Sequence, residues 1–365
     1  MVELASQNRA SHRPSSAPAP DAAVAGNEPF LATDAGGTHA RVALVVGTPS
    51  GNQPVSVLHY RRYQCADWDN LGAVLRHFLD ELPAAGFGPA RAHIRCGVIA
   101  SAGVLMDDTI VNENLPWPVA VGALREGLGL TQLKVINDFE AVAWAAQFLR
   151  DNDTLPVIDA VRSAARGPVL VMGPGTGLGS AVLLPRAGHA QVLATEAGQI
   201  SLAPGTAREI EILRILARGR THVSFEDALS GPGLRNIYHA LCELNDVPIT
   251  LMTPAEITSA ALAGHDATAA ETLAVFCGLL GSFVGDLAML YGASGGVFLA
   301  GGILPQIHTY LRASQFAERF LDKGAMRAFL QKIPVRLIEH GQLGVIGAAG
   351  WFLNEQPEKG NVPLL

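Results

Sequence analysis

The chain has 365 residues, 49% hydrophobic and 16% charged, with a formal net charge of −7. A charged share below the usual quarter, over this length, excludes a wholly disordered chain and allows two or three domains. The mild negative charge argues against a basic nucleic-acid-binding surface. Glycine, at 39 residues, is about 11% of the chain against an average of about 7%, which points to tight turns and to loops where backbone meets a ligand.

The first 28 residues are rich in Ala, Ser and Pro and lack an apolar signal core, so they read as a disordered tail. Phe30 to Val46 holds two apolar runs around a glycine turn, a strand pair. Leu71 to Leu82 has helical spacing. His93 to Ala100 and Leu133 to Ile136 read as buried strands, and Phe139 to Leu149 as an amphipathic helix. Asp151 to Arg166 reads as a polar link between lobes. A second strand pair spans Val169 to Leu184, again around glycines. Helical stretches then run from Arg208 to Tyr291, interrupted at Ser230-Gly-Pro-Gly233, Pro248 and Pro254. Val297 to Ala300 and Val335 to Ile338 read as strands, and Leu343 to Leu353 as a final helix. Strands alternating with helices imply an α/β fold.

Leu287 to Leu311 carries no charge and is long enough to mimic a membrane span. Its glycines and Pro305 favour a helix end, a turn and a strand instead. The four cysteines are scattered, form no Cys-x-x-Cys, and read as free thiols rather than disulfides or a zinc site.

The chemistry gathers in short motifs. Asp34-Ala-Gly-Gly-Thr-His-Ala-Arg41 follows a strand. The bare backbone of Gly36 and Gly37 and the Thr38 hydroxyl suit phosphate oxygens. Asp34 suits Mg²⁺ held through water. Gly173-Pro-Gly-Thr-Gly-Leu-Gly179 fits neither the Rossmann nor the P-loop pattern, yet offers further open N–H groups. Gly37-Thr38 and Gly175-Thr176 lie 138 positions apart in similar strand–turn–strand settings. They read either as halves that close a nucleotide between them or as two unrelated hairpins.

Asn137-Asp138 joins a strand to a helix, where Asp138 is either a proton acceptor or a helix cap. Glu196 and Gln199 stand in a loop, where they either bond neighbouring sugar hydroxyls or leave Glu196 a solvated loop acid. Glu226 sits in Ser224-Phe-Glu-Asp227, a capping-box pattern. Gly292-Ala-Ser-Gly-Gly296 matches the hydrolase G-x-S-x-G, but with helix before and strand after, the reverse of a nucleophile elbow. The turn after Ala300, at Gly301 and Gly302, is either bare backbone for an adenosine face or a close-packed turn.

Together TDAGGTHAR (33–41), INDFEAVAWA (136–145), GPGTGLG (173–179), EAGQISLAP (196–204), LSGPGL (229–234) and FLAGGILP (298–305) resemble the bacterial glucokinase family, the group distinct from the zinc-containing ROK sugar kinases. The resemblance implies an α/β fold of two lobes around a cleft, the actin-like (ribonuclease H-like) ATPase architecture. The small lobe would be 29–147 plus 341–365 and the large lobe 148–340, after a 1–28 tail. It implies a cytoplasmic homodimer that uses ATP and Mg²⁺ to phosphorylate glucose at its 6-hydroxyl, with no nucleic-acid or membrane partner. Carried over by position, Asp138 is the general base and Asn137 a sugar contact. Glu196, Gln199 and Glu226 line the hexose. Asp34, Gly36, Gly37 and Thr38 form the first phosphate loop, with Asp34 toward the metal. Gly175, Thr176 and Gly177 form the second loop, and Gly301 and Gly302 the adenosine segment. The family sugar loop usually reads Glu-Gly-Gly-His where this chain has Glu196-Ala-Gly-Gln199, and a usual proline is Ala102. Both changes fall near the sugar pocket, so a kinase for another hexose and a catalytically weak sugar-binding regulator are the alternatives.

Overall fold

The structure, a computed structural model, describes residues 28–48, 54–111, 117–160, 167–185, 190–339 and 341–355. The expected tail therefore lies, but for Glu28, outside the described residues. The strands are β1 (Phe30–Ala35), β2 (His39–Gly47), β3 (Val55–Gln64), β4 (Cys96–Ser101), β5 (Val104–Met106), β6 (Thr109–Val111), β7 (Val119–Ala120), β8 (Gln132–Asn137), β9 (Thr154–Ile158), β10 (Val169–Pro174), β11 (Leu178–Pro185), β12 (Ala190–Thr195), β13 (Gly296–Leu299) and β14 (Val335–Ile338). The helices are α1 (Leu71–Glu81), α2 (Gly88–His93), α3 (Val121–Gly127), α4 (Asp138–Ala145), α5 (Ala207–Leu216), α6 (Gly231–Leu244), α7 (Pro254–Ala263), α8 (Ala267–Leu290), α9 (His308–Ala313), α10 (Phe316–Leu321), α11 (Arg327–Leu330) and α12 (Leu343–Asn354).

Two main sheets share one design. The first runs β3-β2-β1-β4-β8, with β1–β2 and β2–β3 antiparallel and β1–β4 and β4–β8 parallel. The second runs β12-β11-β10-β13-β14-β9, with the same alternation over its first five strands. Each half thus places a glycine-turn hairpin beside a parallel strand. This repetition of topology replaces the reading of two unrelated hairpins. The central strands are the apolar ones: every residue of β4 is buried, as a strand covered on both faces requires.

Two helices lie between the sheets. Val345, Ile346, Ala348, Ala349 and Phe352 of α12 complete a core with Phe30, Ala32, Val98 and Ala100 of the first sheet. The Phe30 and Phe352 rings are 5.2 Å apart. Ala143 and Ala145 of α4 pack with Val171, Ala181 and Phe298 of the second sheet. Gly179 makes the crossing possible, because a Cβ there would lie 1.9 Å from the Phe139 ring. A third, larger core lies between the second sheet and α6 and α8. The α8 helix is long and apolar enough to cross a membrane by length and composition, but 72% of its most apolar window is buried inside the fold.

Several expectations are corrected. Asp151 to Arg166 contains β9, which pairs antiparallel with β14 at a sheet edge. An edge tolerates Pro156, which breaks an alternating strand signal. The helix expected to reach Leu149 stops at Ala145 and tightens into a 3-10 turn over Ala146–Phe148. Strands β3 and β12 and the small β5-β6-β7 sheet were not foreseen. All four cysteines are free and buried, as expected.

Candidate active site

The parallel strands β1, β4 and β8 end side by side, with Ala35, Ser101 and Asn137 in one row of register. Ligands of α/β sheets collect at such carboxyl ends. Asn137, and not Asp138, is the N-cap of α4: its side-chain oxygen accepts the N–H groups of Phe139 (3.0 Å) and Glu140 (3.1 Å). Asp138 becomes the first helical residue, its Oδ1 accepting the Phe139 N–H at 2.8 Å. It keeps partial solvent access, yet burial raises its pKa to about 6. The nearby negative charges of Asp34 and Glu196 push in the same direction. A carboxyl poised this close to neutrality suits proton transfer.

Asp34, near the end of β1, is also pushed upward by burial, and Arg41 opposes that shift. Arg41 Nη1 donates to Asp34 Oδ2 at 2.9 Å. The Asp34 carboxyl also packs against Gly344 in the first turn of α12, where the helix dipole favours negative charge. The first glycine turn follows. Among the described residues the amides of Gly37 and Thr38 make no hydrogen bond, whereas Gly36 donates to His39 O at 3.1 Å.

The second glycine turn is tied into its surroundings. Gly175 N–H donates to Gly177 O, and Gly231 N–H, at the start of α6, donates to Gly175 O, both at 2.8 Å. Gly301 adopts φ +92°, and a Cβ there would lie 2.3 Å from Pro174 O. Only glycine meets both conditions. A groove of about 480 Å³ gathers Gly36, Gly37, Thr38, Gly175, Thr176 and Gly302, a volume suited to a small-molecule ligand. His39 and Arg41 line it from the first sheet, and Gly231, Thr258, Ile303 and Gln306 from the second half.

The sugar-side residues form a second cluster. Glu196 precedes the 3-10 turn Ala197–Gln199 and is exposed. Gln199 Nε2 donates to Glu226 Oε1 at 3.1 Å, and Leu178 N–H donates to Glu226 Oε2 at 2.7 Å. Glu226 stands in a turn, not a helix. The Ser224–Asp227 pattern does close reciprocal hydrogen bonds, Ser224 N–H to Asp227 Oδ2 (2.9 Å) and Asp227 N–H to Ser224 Oγ (3.3 Å). Arg41 is the site residue whose role the sequence reading missed. It lay inside the quoted motif, but only the hairpin register Asp34↔Arg41 reveals its partner. Among the described residues no cluster of three His, Cys, Asp or Glu side chains could hold a metal ion. Mg²⁺ needs fewer, one or two carboxylates plus substrate phosphates and water, and Asp34 beside the first glycine turn fits that requirement.

Two repeated sheets, paired glycine turns and an acid at the strand ends define the actin-like ATPase fold of sugar kinases, and solved structures agree. A glucokinase from an Antarctic psychrotroph superposes with a TM-score of 0.76 at 35% identity, covering 90% of this chain and 99% of its own. The Glucokinase family model matches residues 31–355. A glucokinase-like protein of Xylella fastidiosa is 47% identical over 90% of this chain and 95% of its own length. A glucokinase of Nitrobacter hamburgensis is 38% identical over 87% and 94%. The chain belongs to the glucokinase family and is an enzyme of that class.

Proposed function

We propose that the chain transfers the γ-phosphoryl group of ATP to the 6-hydroxyl of D-glucose, giving glucose 6-phosphate and ADP. Asp138 accepts the hydroxyl proton as that oxygen attacks the γ-phosphorus in line, and the bond from phosphorus to the bridging oxygen of ADP breaks. The observation that carries the reading is the Asp138 carboxyl, raised to about 6 at the ends of the parallel strands near Asp34, whose partner Arg41 lines the glycine-rich groove. It is ionised at neutral pH yet basic enough to take a proton.

The open amides of Gly37 and Thr38 on one side of the groove, with Thr176 on the other, orient phosphate oxygens. Gly301 and Gly302 give the adenosine a flat backbone rest. Asn137, Glu196, Gln199 and Glu226 hold the hexose. Mg²⁺ held by Asp34 and the phosphates would neutralise charge on the triphosphate. The rest of catalysis is positioning and electrostatics. Closure of the 148–340 lobe on the 29–147 and 341–365 lobe keeps water from the nucleotide.

An ADP-release assay over a panel of hexoses tests this. Release with glucose supports the reading. Release with a different hexose alone moves the assignment to that sugar, an outcome that Gln199 in the sugar loop makes specific to test. Sugar binding without ADP release would make the chain a sugar-binding regulator.

A further inference from the structure

Glu226 has both carboxylate oxygens engaged by protein, one by the sugar loop through Gln199 and one by the second glycine turn through Leu178 N–H. Its backbone is anchored as well. Glu226 N–H donates to Gly198 O at 2.9 Å, and Ser230 Oγ donates to Glu226 O at 2.8 Å. Ser230 also caps α6, the helix whose first N–H holds Gly175. The carboxylate lies directly over Gly177, where a Cβ would sit 2.7 Å from Oε2. Gly198 of the sugar loop is pressed against Leu178 in turn, with only 2.4 Å between a built Cβ and Leu178 O. Sugar loop, Glu226 and glycine turn therefore form one continuous hydrogen-bonded unit.

From this we infer that Glu226 is a positioning residue for the nucleotide: it holds the second phosphate turn in its binding shape before any sugar arrives. The inference rests on the kinase reading above, which assigns that turn to phosphate. The Leu178 N–H needs an acceptor on this side of the turn, and Glu226 Oε2 is the one it has. Hexose hydroxyls then compete with Gln199 for Oε1, while the Leu178 bond persists. One residue serves both ligands, touching the sugar and acting on the nucleotide only through the turn.

The test is binding of the non-hydrolysable analogue AMPPNP with no sugar present. Glu226→Met keeps the side-chain length but offers no comparable acceptor, and it should weaken AMPPNP by roughly fivefold, the scale of one lost hydrogen bond. Glu226→Gln keeps an acceptor for Leu178 N–H and should bind AMPPNP as the wild type does, while its KM for glucose rises. Glu196→Gln, altered on the sugar side but not linked to the turn, should also leave AMPPNP binding unchanged. If Glu226→Met does not fold, Glu226→Ala takes its place. AMPPNP affinity unaffected by loss of the acceptor overturns the inference, as does equal weakening by Glu226→Gln. A wild-type chain that binds no AMPPNP without sugar likewise overturns the inference, whereas one that binds none even with glucose present overturns the kinase reading itself, a distinct result.

Discussion

The Asp138 carboxyl ionises near 3.8 in an unfolded chain and near 6 in the fold, first because it is buried and second because Asp34 is close. Between those values the folded state holds a proton that the unfolded state has released. Stability therefore falls as pH rises through that window, and the cost is fully present above it. About two pH units correspond to about 3 kcal/mol. Asp138→Asn should accordingly melt at a higher temperature than the wild type at pH 8, with the difference vanishing toward pH 4. The same substitution should lower kcat by at least about 10² to 10⁴-fold, the usual worth of a general base. A variant that is more stable yet inactive is the expected signature, and near-normal turnover would remove Asp138 from the base role. In the wild type, kcat/KM should climb with pH and level off above about 6, as a base that must be ionised requires. The acid itself was legible in the sequence, but its freedom from capping was not. Asn137 and Asp138 are both favoured caps, and only the turn of the backbone decides that Asn137 does the capping.

Elements position that residue through their backbones. Asp138 opens α4, the next residue is Phe139, and the Phe139 ring occupies the space left by Gly179 on β11. Gly179→Ala should displace the ring and carry Asp138 with it. A cost of roughly 1–3 kcal/mol is expected from overpacking, read as a lower melting temperature together with a reduced kcat; unchanged kcat would separate the crossing from the chemistry. The strands legible in the sequence were the central ones, whose residues are apolar on both faces, such as β4 and β10. The missed β3 and β12 lie at sheet edges, and exposed polar residues break the apolar pattern: Arg61 and Arg62 in one, Gln191 in the other. Edge strands are specified by pairing with a neighbour rather than by their own composition. The partners of Glu226 were hidden for a related reason. The spacing around Glu226 matched a cap, whereas its partners, Leu178 and Gln199, are 48 and 27 positions away.

At the scale of the whole molecule, each half contributes one glycine turn to the groove, and the repeated topology sets the two turns across from each other. The halves are not equally self-sufficient. The second sheet builds its core from α6 and α8, which follow its own first hairpin in the chain. The first sheet takes one face of its core from α12. A chain ending at residue 341 should therefore lose cooperative thermal unfolding, because Phe30, Val98 and Ala100 would face water; a sharp transition in that truncation would show that α12 is dispensable. This debt to a late segment has a consequence for biosynthesis. The first sheet, whose last strand β8 ends at Asn137, waits for roughly 200 further residues before α12 emerges, an interval on the order of ten to forty seconds at ordinary elongation rates. During that time a sticky, unfinished surface is open to chaperones or to a neighbouring nascent chain.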